Sequence, residues 1–233
     1  MTEFVFMLTR GDRTVQDAHA VLDAVARVGL RHIGFKDIGL PFAELRVLAR
    51  RIRELGARAY LEVVSEDAAA ELRGVEAAPG LGVDAVLGGT RAVRAAGLLA
   101  GTGVEYWPFP GRVEGHPSVL RGPAADIVAS ARDLAAVPGV HGLDLLAHRF
   151  DGDAARLAAR VVAAVDVPVL AAGSVDREER VAALRAAGVW GFTAGTAVLD
   201  GTFRVPAAPR GTAALLTAVL RSAEGPERAP AGT

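Results

Sequence analysis

One lysine, Lys36, stands against twenty-five arginines in this chain, within the run Arg31-His-Ile-Gly-Phe-Lys36-Asp37. Where a positive charge alone suffices, so strong a bias has replaced Lys by Arg, so a retained ammonium points to chemistry that a guanidinium cannot perform. The ammonium is compact and its pKa falls readily on desolvation, so it can act as an acid, a base or an amine nucleophile. Glu62, in Tyr60-Leu61-Glu62-Val63, is the carboxylate best suited to pair with it. Such a pair either fixes two strands in register or moves protons beside a substrate, and the second role is the expected one. Asp144 and His148 complete the expected catalytic set.

Two further dipeptides read as anion-binding chemistry. Gly173-Ser174 and Gly195-Thr196 each close an apolar run and precede helical sequence. Glycine lets backbone N–H groups approach a ligand, the hydroxyls add donors, and a following helix favours negative charge, so these four residues are expected to hold a phosphate. Thr9, Arg10, Gly88, Arg112 and His116 are expected to contact the rest of the substrate. Asp12, Asp37, Ser65 and Arg149 also fall near inferred strand ends without an assigned role. No dense His/Asp spacing supports a metal site, and neither metal nor cofactor is expected.

The elements that must position these groups alternate regularly. Apolar strand-like runs at 3–8, 31–36, 59–64, 83–87, 104–107, 141–147, 167–172 and 190–194 are separated by helical periods at 14–28, 41–55, 66–78, 91–100, 123–136, 153–165 and 176–187. A last helical period covers 211–222. The segment 41–55 is the clearest: Pro41 suits a first helical position, Leu45, Leu48, Ile52 and Leu55 form one stripe, and Gly56 suits the cap. Eight β-α units in this length predict a closed (β/α)8 barrel, a TIM barrel, as one domain over 1–222, with a disordered tail at 223–233. An open doubly wound sheet would carry Gly-x-Gly-x-x-Gly after its first strand, and none is present.

Barrel geometry places chemistry at the carboxyl ends of the strands. Alternation turns Gly34, Lys36, Tyr60 and Glu62 inward, and Asp144, Leu146 and His148 likewise. The segment 108–123 is too long for a simple connection and reads as a lid over the mouth, carrying Arg112 and His116.

The segments Val167–Asp176 and Gly188–Gly201 resemble the phosphate half of the ribulose-phosphate-binding barrel superfamily, and the fold-level resemblance spans most of the chain. The resemblance implies a small phosphorylated metabolite as ligand. Its branch stays open. The histidine-pathway isomerases carry Asp at the end of strand one, where this chain has Leu8-Thr9-Arg10. The decarboxylase branch carries Asp-x-Lys-x-x-Asp, whose first and last Asp are missing around Lys36.

Three functions are therefore weighed. The first is a sugar-phosphate isomerase or epimerase using Lys36 and Glu62. The second is a Schiff-base aldolase or lyase using Lys36. The third is a non-catalytic sensor of phosphorylated metabolites. A net charge of −1 with interspersed signs argues against nucleic acid or an anionic membrane as partner. With no cysteine, thiolate chemistry and disulfides are excluded. No apolar run is long enough for a bilayer and no leader pattern opens the chain, so a cytoplasmic protein, with a homo-oligomer open, is expected.

Overall fold

The computed structural model describes residues 2–65, 67–206 and 211–225. Strand β1 (Glu3–Met7) is followed by a small hairpin, β2 (Thr9–Arg10) and β3 (Arg13–Thr14), and by helix α1 (Ala18–Val25). Three simple units come next: β4 (His32–Lys36) with α2 (Phe42–Glu54), β5 (Arg58–Val63) with α3 (Ala68–Leu81), and β6 (Ala85–Gly88) with α4 (Ala92–Leu99). Strand β7 (Glu105–Trp107) leads into a second hairpin, β8 (Arg112–Glu114) and β9 (Val119–Arg121), and then α5 (Ala124–Ala135). Strand β10 (Leu143–Leu145), a 3-10 turn at Ala147–Arg149 and α6 (Ala154–Val162) follow. The remaining elements are β11 (Val169–Ala171), α7 (Glu178–Ala186), β12 (Gly191–Ala194), the short α8 (Thr196–Leu199) and α9 (Thr212–Glu224).

Eight strands run parallel in the order β10-β11-β12-β1-β4-β5-β6-β7. The two edges meet through backbone bonds from His141 N to Tyr106 O at 2.8 Å and from Asp144 N to Pro108 O at 3.0 Å. The result is a nearly closed TIM barrel, the fold that the alternating pattern predicts. All eight expected strands are present, most of them a residue or more shorter than the apolar run; β5 keeps its length but sits one residue earlier, and β6 ends one residue later than expected.

Alternation along each strand divides the core. Phe6, Ile33, Phe35, Leu61 and Val63 pack outward beneath the helices, whereas Val5, Met7, Tyr60, Leu87, Trp107 and Leu170 fill the barrel interior. Helix α2 shows why the outer layer holds: Leu45, Leu48, Ala49 and Ile52 are fully buried along one stripe. Burying each such leucine or isoleucine contributes about 1.5–3 kcal/mol relative to exposure.

Two expectations shift. Pro41 caps α2 rather than opening it, with φ −62° and ψ 149°, because an extended ψ lets its carbonyl accept the first helical bonds from Glu44 and Leu45. Helix α9 extends through Glu224 into the expected tail, anchored by the bond from Thr2 N to the carbonyl of buried Ala223. Of that tail, residues 226–233 lie outside the described residues. No helix among the described residues is long and apolar enough to cross a membrane.

Candidate active site

The β2–β3 hairpin fixes the centre of the mouth. Thr9 pairs with Thr14 and Arg10 with Arg13, leaving Gly11-Asp12 as a two-residue turn with φ of 55° and 63°. Both values are left-handed, the pattern of a type I′ turn, which Gly tolerates freely and Asp better than most residues. Thr14 ties this hairpin to the barrel: its Oγ1 donates to Lys36 O and accepts from Lys36 N, both at 2.8 Å. The turn thereby delivers the Asp12 carboxylate, 4% exposed, to the top of β4.

There it meets four donors. Asp12 Oδ1 accepts from Lys36 Nζ at 2.8 Å and Arg149 Nη2 at 2.7 Å, and Oδ2 accepts from Arg149 Nη1 at 2.7 Å and Ser118 N at 2.9 Å. Lys36 Nζ also lies 3.2 Å from Glu62 Oε2. Lys36 and Glu62 are register partners on adjacent strands, so the pairing follows from the sheet itself.

The charges divide into distinct states. Burial alone would raise the Asp12 pKa, but the Arg149 bonds and the Lys36 charge outweigh it and hold Asp12 far below the usual carboxylate range. Burial would likewise strip Lys36 of its proton, yet Glu62 and Asp12 together raise its pKa above the ordinary value. Glu62 shifts opposite to Asp12: burial, joined by the Asp12 charge, raises its pKa despite Lys36. Asp144 is wholly buried with neither carboxyl oxygen hydrogen-bonded, and burial followed by the Glu62 charge lifts its pKa well above the ordinary value. The mouth therefore holds a fixed anion, a fixed ammonium, a fixed guanidinium and a carboxyl group suited to exchanging a proton.

A cavity of about 200 Å³ opens beside this network. Lys36, Glu62 and Asp12 form one side, and Gly173, Ser174, Gly195 and Thr196 form the other, with Thr9 between. Ser174 adopts φ 54°, left-handed like Gly173 at 82°, and its carbonyl accepts from Arg180 Nη1. A Cβ on Gly195 would come within 2.7 Å of Met7 O and Thr9 Oγ1, so only glycine allows this approach. The backbone N–H groups of Ser174, Val175, Thr196 and Ala197 have no acceptor among the described residues. Free amides and hydroxyls facing one cavity are what an oxyanion requires.

Several expected contacts fall elsewhere. His148 does not enter the cavity, because β10 stops at Leu145 and the 3-10 turn breaks the alternation that would have carried it inward. It packs instead near Arg180 and Asp176, with Nε2 buried and unbonded, while Arg149 takes the inward place. Arg10 is exposed and paired with Asp200 at 2.6 Å. Gly88 serves packing: a Cβ there would strike Val63 O at 2.6 Å and the Phe109 ring at 2.8 Å. Arg112 and His116 are exposed on the β8–β9 hairpin, where Arg112 pairs with Glu114 at 3.2 Å. The hairpin itself covers the mouth through Ser118, which is buried and bonded to both Asp12 and Arg149. Asp144 faces the interior beneath the cavity rather than lining it. Asp12 and Arg149, the central members, carry sequence signals only in hindsight: a Gly-Asp turn between short polar runs, and an arginine just past an apolar strand.

No family model matches this chain, and no curated protein sequence does. Solved structures do match it in fold. Orotidine 5′-phosphate decarboxylase from Pyrococcus horikoshii OT3 superposes with a TM-score of 0.67 at 14% identity, covering 95% of this chain and 99% of that one. Thiamine phosphate pyrophosphorylase from Pyrococcus furiosus gives 0.59 at 16% identity over 95% and 96%. The YdjI aldolase from Escherichia coli K12 gives 0.58 at 11% identity over 86% and 78%. The likeness to these structures, at 11–16% identity, is one of fold, the TIM barrel, and it assigns no branch.

Proposed function

We propose that the mouth binds a small phosphorylated carbonyl compound and that Glu62 and Lys36 catalyse its isomerisation or epimerisation. The observation that carries this reading is the placement of Lys36 Nζ between Asp12, at 2.8 Å, and Glu62, at 3.2 Å. Two carboxylates keep the ammonium protonated, so it serves as a hydrogen-bond donor and electrostatic partner rather than as an amine nucleophile. Glu62, with its raised pKa, takes the proton from the carbon beside the carbonyl, while Lys36 donates to the oxygen as negative charge builds there. Delivery of the proton to the former carbonyl carbon, with the neighbouring hydroxyl giving up its own proton to become the new carbonyl, gives an isomer; delivery by solvent to the opposite face of the original carbon gives an epimer. Asp12 orients Lys36 and Arg149 without exchanging a proton itself. Arg149 runs its stem along Gly173, so the same side chain braces the phosphate loop against the charge network.

The cavity of about 200 Å³ is small beside the ~300–1,000 Å³ common for ligand pockets. That size suits a few carbons and one phosphate. Two of the fold neighbours are named for phosphate-bearing molecules, which supports the ligand class as analogy of fold alone. An aldolase also shares the fold, but an imine requires a neutral Lys36, which Asp12 and Glu62 oppose.

The test is solvent exchange: a panel of phosphorylated aldehydes and ketones incubated in D2O and followed by NMR for deuterium entering beside the carbonyl. Exchange that disappears in Glu62→Gln is the expected result. A borohydride-trapped mass adduct lost in Lys36→Arg would instead establish the imine route and overturn the proposal. Stabilisation by the phosphates with neither exchange nor adduct would leave the sensor reading.

A further inference from the structure

The loops after β6 and β12 repeat one pattern at a constant offset. Gly82-Val83 and Gly89-Thr90 recur as Gly188-Val189 and Gly195-Thr196, and β6 and β12 begin and end at corresponding residues. The preceding loops repeat as well: Ser65, Asp67 and Glu71 correspond to Ser174, Asp176 and Arg180. In the strand order β6 and β12 are four positions apart, which puts the two loop pairs on opposite sides of the mouth.

The β5–β6 side already holds an anion. Glu71, 1% exposed, projects from α3 so that its Oε1 accepts from the backbone N–H groups of Thr90 and Arg91, both at 2.9 Å. Its Oε2 accepts from Thr90 Oγ1 at 3.1 Å and from Arg91 Nη1. Two successive amides, a threonine hydroxyl and a guanidinium are the donors that a bound oxyanion would use. The Tyr106 hydroxyl, fully buried and unbonded, lies 3.3 Å from where a Cβ on Gly89 would stand, beside the same carboxylate. A cavity of about 200 Å³ adjoins this point, lined by Ser65, Thr90, Phe109 and Val113.

The β11–β12 side differs in charge. Thr196 and Ala197, the counterparts of Thr90 and Arg91, keep their amides free of any acceptor among the described residues. The position of Glu71 is taken there by Arg180, a cation that donates to Ser174 O. The loops are not superimposable in backbone, since Gly89 is left-handed at φ 74° and Gly195 has φ −133°. What they share is two successive amides and a threonine hydroxyl: Glu71 takes both amides on one side, while on the other the amides have no acceptor among the described residues and the Thr196 hydroxyl lies 3.5 Å from Thr9 O.

We propose that Glu71 is an internal anion occupying a second oxyanion cradle, so that the mouth accepts a ligand with one anionic end and rejects a ligand with two. The restriction to one anionic end rests on the phosphate reading of the β11–β12 side; the occupation of the second cradle does not. The test uses Glu71→Ala with inorganic phosphate and formate as probes, combining calorimetric site counts with thermal melting. The variant is expected to bind one more phosphate per chain than the unsubstituted protein, and its Tm is expected to rise more steeply with either anion. Adding Arg91→Ala should remove the extra site. Counts of one and two support both readings, while zero and one support the Glu71 assignment and sink the phosphate reading. Equal counts without a selective gain in Tm overturn the proposal, as does a Glu71→Ala chain that fails to fold and is restored by neither anion.

Discussion

The four donors on Asp12 hold its carboxylate in place, and they determine what its neighbours can do. Because Asp12 and Glu62 both face Lys36, the ammonium stays charged and its position is fixed to within one hydrogen bond. Lys36→Arg keeps the charge but cannot fit a planar fork into the place of a compact ammonium. Its expected effect is a fall in kcat of about 100-fold or more, in the range typical for removal of acid–base partners, checked by turnover on whichever substrate the exchange panel identifies. His148 makes a separate prediction at this scale. Burial and the nearby Arg180 push its pKa down from 6.5 to about 4, so the folded protein holds it neutral. Its stabilising contribution is complete above the unfolded value of 6.5 and is lost as pH falls from there through about 4. Urea melts at pH 7 and pH 4.5 should show His148→Gln losing less stability than the unsubstituted protein, by about 1 kcal/mol after allowance for partial exposure.

Among the elements, the two short hairpins do most to shape the site. Hairpin β2–β3 depends on Thr14, whose hydroxyl makes two bonds to the Lys36 backbone. Thr14→Val keeps the shape and loses both bonds, so a destabilisation of about 1–3 kcal/mol is expected, read from chemical denaturation. Activity should fall with it, since Asp12 is carried on the same turn. The barrel strands were legible in the sequence because each is an apolar run bounded by helical period, and Lys36, Glu62, Gly173 and Gly195 could be placed by counting along them. The hairpins were not legible. Strands of two or three residues have no period to detect, and Thr9-Arg10 and Arg13-Thr14 look like any polar loop until they pair. Asp12 therefore stands at a strand end with no role legible in the sequence, since that role depends on a turn that folds it back across the mouth. Arg149, though at an inferred strand end, draws no role for a related reason: alternation extrapolated beyond Leu145 favours His148, and the 3-10 turn reverses that choice.

At the scale of the whole molecule, the barrel separates its polar chemistry from its aromatic packing. Where the strands begin, His32 contacts the Tyr60 hydroxyl at 2.9 Å and Glu3 at 3.2 Å, and Arg58 pairs with Glu105 at 2.8 Å. Trp107 donates its indole N–H to Glu105 at 3.1 Å and packs against Trp190, ring centres 5.0 Å apart. A barrel that keeps stability at one end and reactivity at the other can vary its mouth loops without risking its closure. These are the only two tryptophans in the chain, and neither lines the mouth cavity. Intrinsic emission is thus an optical gauge of whether the barrel is intact and should be nearly dark to what is bound above it. Saturating phosphate is expected to leave the emission spectrum unchanged while delaying its loss on heating; a spectral shift on binding would reveal that the interior stack feels the mouth after all.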